Sequence, residues 1–103
     1  RSHSSSTSKS DFVEKTEVRI DELEIKPGMW TNVLKINALK LTAGELTFRL
    51  IDPDGQVHWE ETFTAPAKFN EKFDLEVIPG VWQLEIDFVN ASGKYNLKWE
   101  AKN

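Results

Sequence analysis

From Thr16 onward, apolar side chains recur at every second position and turn residues interrupt them at short intervals, which is the pattern of half-buried β-strands. In WQLEIDFV, Trp82, Leu84, Ile86 and Phe88 share one face, and Gln83, Glu85 and Asp87 share the other. KYNLKWE repeats the design, with Tyr95, Leu97 and Trp99 inward and Lys94, Asn96, Lys98 and Glu100 outward. Between the two runs lies Asn90-Ala91-Ser92-Gly93. A four-residue loop there predicts a hairpin that sets Phe88 opposite Tyr95, Ile86 opposite Leu97 and Leu84 opposite Trp99, because only an even loop length brings both apolar faces together. On the outer face the same register pairs Glu85 with Lys98.

LTFRLI and QVHWEETF form a second such pair around Asp52-Pro53-Asp54-Gly55, where Pro and Gly supply the turn chemistry. Leu50 is expected opposite Val57 and Phe48 opposite Trp59. FNEKFDLEVI adds a strand with Phe73, Leu75 and Val77 inward. The N-terminal third is less regular: the alternation through Val18 and Ile20 changes phase at Asp21-Glu22 to Leu23 and Ile25, and NVLKINALKL changes phase at Asn37-Ala38, the mark of a bulge or a crossing between sheets. These runs predict about seven strands, over 16–26, 29–41, 44–52, 55–64, 68–78, 81–90 and 93–101. The expected fold is all-β, a two-sheet antiparallel β-sandwich of immunoglobulin-like or jelly-roll-like type.

A chain of 103 residues holds one such domain. The leader RSHSSSTSKS has no apolar residue to give to a core, so residues 1–10 read as a flexible Ser-rich tether or tag remnant and 11–103 as the domain. No apolar run is long enough for a membrane helix. The net charge of -4 and the interleaving of acidic with basic residues argue against a nucleic-acid partner. Without cysteine there is neither a disulfide framework nor a thiolate nucleophile.

Little in the chain suggests catalysis. Every serine except Ser92 lies in the leader, and Ser92 belongs to a turn. His58 is expected to point to solvent opposite Arg49, with no second member for a dyad. Asp52 and Asp54 lack the glycine position and distal glutamate of a calcium loop, and Glu60 and Glu61 adjoin on a strand and so face opposite ways. Asn90-Ala91-Ser92 has the form of a glycosylation sequon but reads as a turn. No catalytic, cofactor-binding or metal-ligating residue is assigned, and no cofactor is expected.

Two segments do repeat: LEIKPGMW, ending at Trp30, and LEVIPGVW, ending at Trp82. In each, Pro and Gly make a corner and Trp opens the next strand. Trp30 and Trp82 are the candidate ligand platform, and the alternative is that each caps one end of the core; the phase that Trp82 shares with Leu84 and Ile86 favours core for it and leaves Trp30, in a less regular strand, as the better platform candidate.

The runs RLIDPDGQVHWEETF and VIPGVWQLEIDFVNASGKYNLKWEA resemble extracytoplasmic β-sandwich domains of bacteria, namely small lipoprotein ectodomains and the prepeptidase C-terminal domains of secreted enzymes. The resemblance covers the C-terminal sixty residues and adds little for 1–43. It implies a sandwich outside the cytoplasm, usually without catalytic residues; a lipid tether upstream is the expectation that the Ser-rich leader raises, and the chain has no lipid-accepting Cys. The function expected is that of a non-catalytic interaction or accessory domain of a bacterial cell-surface protein, with an unknown protein or cell-wall glycan as partner. The alternative is a carbohydrate-binding module using an exposed Trp.

Overall fold

A computed structural model describes residues 3–103. Five strands, β1 (His3–Ile25), β2 (Thr31–Ile51), β3 (Val57–Thr64), β4 (Ala67–Asp74) and β5 (Gly80–Lys102), form one antiparallel sheet. The order is β1-β5-β2-β3, with β4 also pairing on β2. The seven-strand, two-sheet arrangement expected from the alternation is replaced by fewer and longer strands. The predicted strands 29–41 and 44–52 fuse into β2, and 81–90 and 93–101 fuse into β5.

The three long strands have 23, 21 and 23 residues. Straight, each would run to roughly 70 Å at ~3.3 Å per residue, yet the longest dimension of the molecule is 42 Å. They bend at a common level, which is marked by register shifts in the β1–β5 and β2–β5 ladders and by positive φ at Glu14 in β1, Gly44 in β2 and Asn90 in β5; a separate bulge with positive φ at Ala38 lies within the upper half of β2. The bend divides the sheet. In the upper half β1 (3–12), β5 (93–102), β2 (31–41) and β4 lie side by side; in the lower half β1 (15–25), β5 (80–91), β2 (43–51) and β3 do.

The two halves close on each other through aromatic side chains. Trp59 of β3 lies 5.8 Å from Phe69 and 4.5 Å from Phe73 of β4, ring centre to ring centre, and Phe63 lies 4.8 Å from Phe69, although β3 and β4 share no ladder. Nearer the bend, Phe48 meets Tyr95 at 6.0 Å and Phe12 meets Phe88 at 5.0 Å. Burying these rings, with Leu34, Ile36, Leu84, Ile86 and Leu97, removes the large apolar area that holds so elongated a sheet together.

The hairpin expected at Asn90–Gly93 does not form. The chain kinks there and continues in the same ladder, with Val89 opposite Glu45, Ser92 opposite Ala43 and Gly93 opposite both Leu41 and Phe12. Phe88 consequently faces Glu17 and Leu46, and Tyr95 faces Ser10. The inward phases of both runs survive: Trp82, Leu84, Ile86, Phe88, Tyr95, Leu97 and Trp99 are all buried. The Glu85–Lys98 pair is lost with the hairpin, and Glu85 instead lies 3.7 Å from Arg49. Asn and Gly suit a kink for the same reason that they suit a turn, since both accept positive φ.

Residues 3–10, expected as a flexible leader, belong to β1 and pair with β5 from His3 opposite Lys102 to Ser10 opposite Tyr95. Ser4, Ser6, Ser8 and Ser10 take the less exposed positions and alternate with exposed neighbours. Small side chains fit there because Trp99 and Tyr95 already fill the space. The phase change expected at Asp21-Glu22 is also absent. β1 keeps one phase from Arg19 to Ile25, so that Val18 and Ile20 are exposed while Arg19 and Asp21 turn toward the interior and pair at 3.1 Å. Near them, burial pushes the Tyr95 hydroxyl above its ordinary pKa, against the pull of the Arg19 charge.

Between β2 and β3 the register also departs from expectation. A bulge at Leu50/Ile51 puts Leu50 opposite Trp59 and Ile51 opposite Val57, while Phe48 faces Glu61. The connection is closed by Asp52 N–H donating to Gln56 O at 2.9 Å.

Candidate functional site

The two candidate platform residues part company in the structure. Trp82 is wholly buried; its indole N–H donates to Ile78 O at 2.9 Å and its ring lies 4.8 Å from the His58 ring. It cannot serve as a platform, because the apolar phase it shares with Leu84 and Ile86 carries it into the core. Trp30 is 81% exposed. Trp59, Trp82 and Trp99 each donate their indole N–H to a protein acceptor, whereas Trp30 has no such partner among the described residues.

His58 is not the solvated residue opposite Arg49 that the alternation predicts. The bulge shifts Arg49 opposite Glu60, to which it is ion-paired, and leaves His58 beside the preceding loop. There its Nε2 lies 2.7 Å from Asp52 Oδ2. Asp52 Oδ1 accepts N–H bonds from Asp54 at 2.8 Å and Gln56 at 3.0 Å, so a single buried carboxylate organises the loop. The bond to His58, aided by those backbone donors, holds the Asp52 carboxyl below its ordinary range. This pair is a structural staple: His58 covers Trp82, and both Asp52 oxygens are engaged. His58→Ala is expected to lower the melting temperature by on the order of 5 °C, which thermal unfolding by circular dichroism measures. A depressed carboxyl pKa stabilises the fold above the ordinary Asp range and ceases to do so as the pH falls through the folded-state value. The difference between wild type and Asp52→Asn should accordingly shrink in strong acid.

Glu61 is exposed at the edge and accepts from the Trp59 indole at 3.2 Å. Ser92 lies at the bend, where its hydroxyl accepts from Glu14 N–H at 2.9 Å. Among the described residues, no group of His, Asp and Glu side chains could hold a metal ion.

What the sequence reading missed is a basic face. Although acidic and basic residues interleave along the chain, the upper half-sheet gathers lysines on its outer surface. Lys35 is directly opposite Lys98 on one side and Lys72 on the other, and Lys40 is directly opposite Lys94 and Lys68. Two rows of three lysines thus cross β5, β2 and β4 at the ladder spacing of about 4.8 Å. Lys9 and Lys102 extend the face, and none of these lysines makes an ion pair within the described residues. Between the rows, Lys9, Asn96 and Asn37 form a polar line. The signal lay in the register: Lys94, Lys98 and Lys102 recur every fourth residue in the outward phase of β5, and only β2 and β4 place Lys35, Lys40, Lys68 and Lys72 beside them.

The lower half shows the opposite charge. Its outer surface carries Glu22 and Glu24 from β1, Glu85 and Asp87 from β5, Glu45 from β2 and Glu60 from β3, around the single Arg49. Three hollows flank the lysine rows. One, of about 200 Å³, is lined by Thr31, Val33, Lys35, Lys72, Glu100 and Lys102. A second, of about 480 Å³, lies at Lys40, Thr42, Pro66 and Lys68. A third, of about 130 Å³, lies at Lys9, Asp11, Lys94 and Asn96. Within the first hollow, Glu100 accepts from His3 at 3.2 Å, a bond that holds its carboxyl below the ordinary range.

No protein-family model matches the chain, and no curated protein matches it. Among solved structures, dimeric latent PorU from Porphyromonas gingivalis aligns with 97% of this chain at 6% identity and a TM-score of 0.49, and the match spans 13% of that much longer protein. The coat protein of Tobacco streak virus aligns with 98% of this chain and 86% of its own at 15% identity and a TM-score of 0.40.

Proposed function

We propose that this chain is a non-catalytic, extracytoplasmic interaction domain that holds a negatively charged partner on the outer face of its upper half-sheet. In this reading the two closed halves act as the layers of a sandwich, and the parent protein belongs to a bacterial cell surface, as the sequence resemblance implies. The observation that carries the reading is the direct opposition of Lys98, Lys35 and Lys72, and of Lys94, Lys40 and Lys68. Like charges directly opposite in an antiparallel ladder destabilise it, so a fold gains nothing from this arrangement. A bound polyanion removes the repulsion, and the acidic lower half steers such a partner to the correct side. In this reading His58 serves the loop through its bond to Asp52 and is given no catalytic role.

Lys35→Glu tests this reading by separating stability from binding. It turns two repulsive pairs into attractive ones and should stabilise the domain by roughly 0.5 to 2 kcal/mol, seen as a higher urea midpoint. The same variant should elute from a sulfated-dextran column at markedly lower salt than wild type. If wild type passes through that column unretained at low salt, the lysine face has no affinity for polyanions and the reading is wrong.

A further inference from the structure

The two half-sheets close inner face to inner face, so their outer faces look away from each other on opposite sides of the molecule. One outer face carries the lysine rows. The other carries Glu22 and Glu24 of β1, Asp87 of β5 and Glu45 of β2, none of which makes an ion pair among the described residues. Arg49, the cation among them, is already held between Glu60 and Glu85. Resting on the reading above, we propose that the negatively charged partner is a second copy of this chain: the lysine face of one molecule docks on the acidic face of the next.

The pattern on the acidic face favours this occupant over other polyanions. Its apolar residues Val18, Ile20, Val81 and Val89 are 59%, 52%, 47% and 43% exposed. In the ladders each stands directly opposite a carboxylate: Val18 opposite Asp87, Ile20 opposite Glu85, Val81 opposite Glu24 and Val89 opposite Glu45. A lysine laid across such a pair covers the apolar side chain with its methylene stem and brings its ammonium group to the carboxylate. A polysaccharide or nucleic acid would neutralise the lysines and leave these four pairs uncovered; a second copy satisfies both faces at once. A face about ten residues long and four strands wide covers roughly 600 Å². Two such faces bury roughly 1,200 Å², the lower end for a specific complex, so the contact is weak and sensitive to salt. A symmetric contact would set lysines against lysines or carboxylates against carboxylates. The docking is therefore head-to-tail, and each added copy leaves one lysine face and one acidic face free for the next.

The test is sedimentation velocity over a range of protein concentrations at roughly 20 mM and roughly 500 mM sodium chloride, where the Debye length is about 20 Å and about 4 Å. Wild type is expected to gain mass with concentration at low salt and to return to monomer at high salt. One variant neutralises the basic face with Lys35→Gln, Lys72→Gln and Lys98→Gln; another neutralises the acidic face with Glu24→Gln, Glu45→Gln and Asp87→Asn. Each alone should remain monomeric at low salt with a melting temperature no lower than that of wild type. Mixed in equal amounts, they should form a 1:1 dimer that grows no further, because each contributes the one intact face that the other lacks.

If wild type stays monomeric at low salt yet is retained on the sulfated-dextran column, the second copy is overturned as partner while the lysine face stands as a polyanion surface. If it is monomeric and also unretained, both proposals fall together. Association that persists at high salt would point to pairing along the free edge of β1 and overturn the role given to charge. Wild type that associates while the mixed variants do not would show that the contact uses other surfaces.

Discussion

Gly44→Ala should prevent this chain from reaching its folded state under conditions where wild type is stable. Gly44 lies at the common bend with φ +75°, a conformation that costs any residue with a Cβ, and an added Cβ would fall 2.2 Å from Asn90 O and 2.4 Å from Val89 O. Both obstacles are backbone atoms of β5, so no side-chain rotation relieves them. Separating β2 from β5 would break the ladder between the two central strands where the sheet changes direction and where Ala65 N–H donates to Gly44 O. A loss above about 4 kcal/mol is expected, enough to unfold many domains of this size. The readout is the amide NMR spectrum: dispersed for wild type, collapsed for the variant. Ala38→Gly is the control with opposite sign, because Ala38 already carries φ +53° and a glycine there should stabilise by up to about 1 kcal/mol. A folded Gly44→Ala protein with an unchanged urea midpoint would mean that the strands do not bend together at this level.

The second large effect is expected at Trp99. Its side chain is fully buried, and its indole N–H donates to Asn32 Oδ1 at 2.8 Å. Asn32 in turn donates through Nδ2 to Glu76 O at 3.0 Å, and its own carbonyl accepts from Leu75 N–H at 2.8 Å. Trp99 thus fixes a buried amide that ties β5 and β2 to the segment following β4. Trp99→Ala should cost about 3 to 5 kcal/mol through the cavity, and Trp99→Phe about 1 to 3 kcal/mol through the orphaned amide oxygen. Equilibrium urea unfolding distinguishes the two. A cost below about 1 kcal/mol for the alanine variant would place Trp99 outside the core and undo the buried link.

Side-chain phase was legible in the runs from Trp82 to Phe88 and from Tyr95 to Trp99, because a buried face forces alternation whichever partner supplies the ladder. Strand ends were not. Asn90-Ala91-Ser92-Gly93 has the composition of a hairpin loop, yet β1 and β2 bend at the same level and keep β5 paired on both sides, so the chain kinks instead of reversing. Ser4 to Ser10 gave no apolar signal, and their place in β1 follows from the free edge of β5 that the domain presents to them. His58 was misplaced for a local reason: one bulged residue at Leu50/Ile51 moved it from the Arg49 row to the Asp52 loop.

The candidate site divides along the same line. Exposure of Trp30 and burial of Trp82 were readable as a contrast between an irregular strand start and a regular amphipathic one. The lysine face was not readable, because its residues come from β1, β2, β4 and β5 and look dispersed when counted along the chain.

By itself the sequence determined the all-β class and the inward side chains of the runs 82–88 and 95–99, since each depends on spacing within a few residues. The tertiary structure alone decided the number of strands, the bend and the charge of each face. Those depend on which distant residues stand opposite one another, and register between strands is a property of the whole sheet.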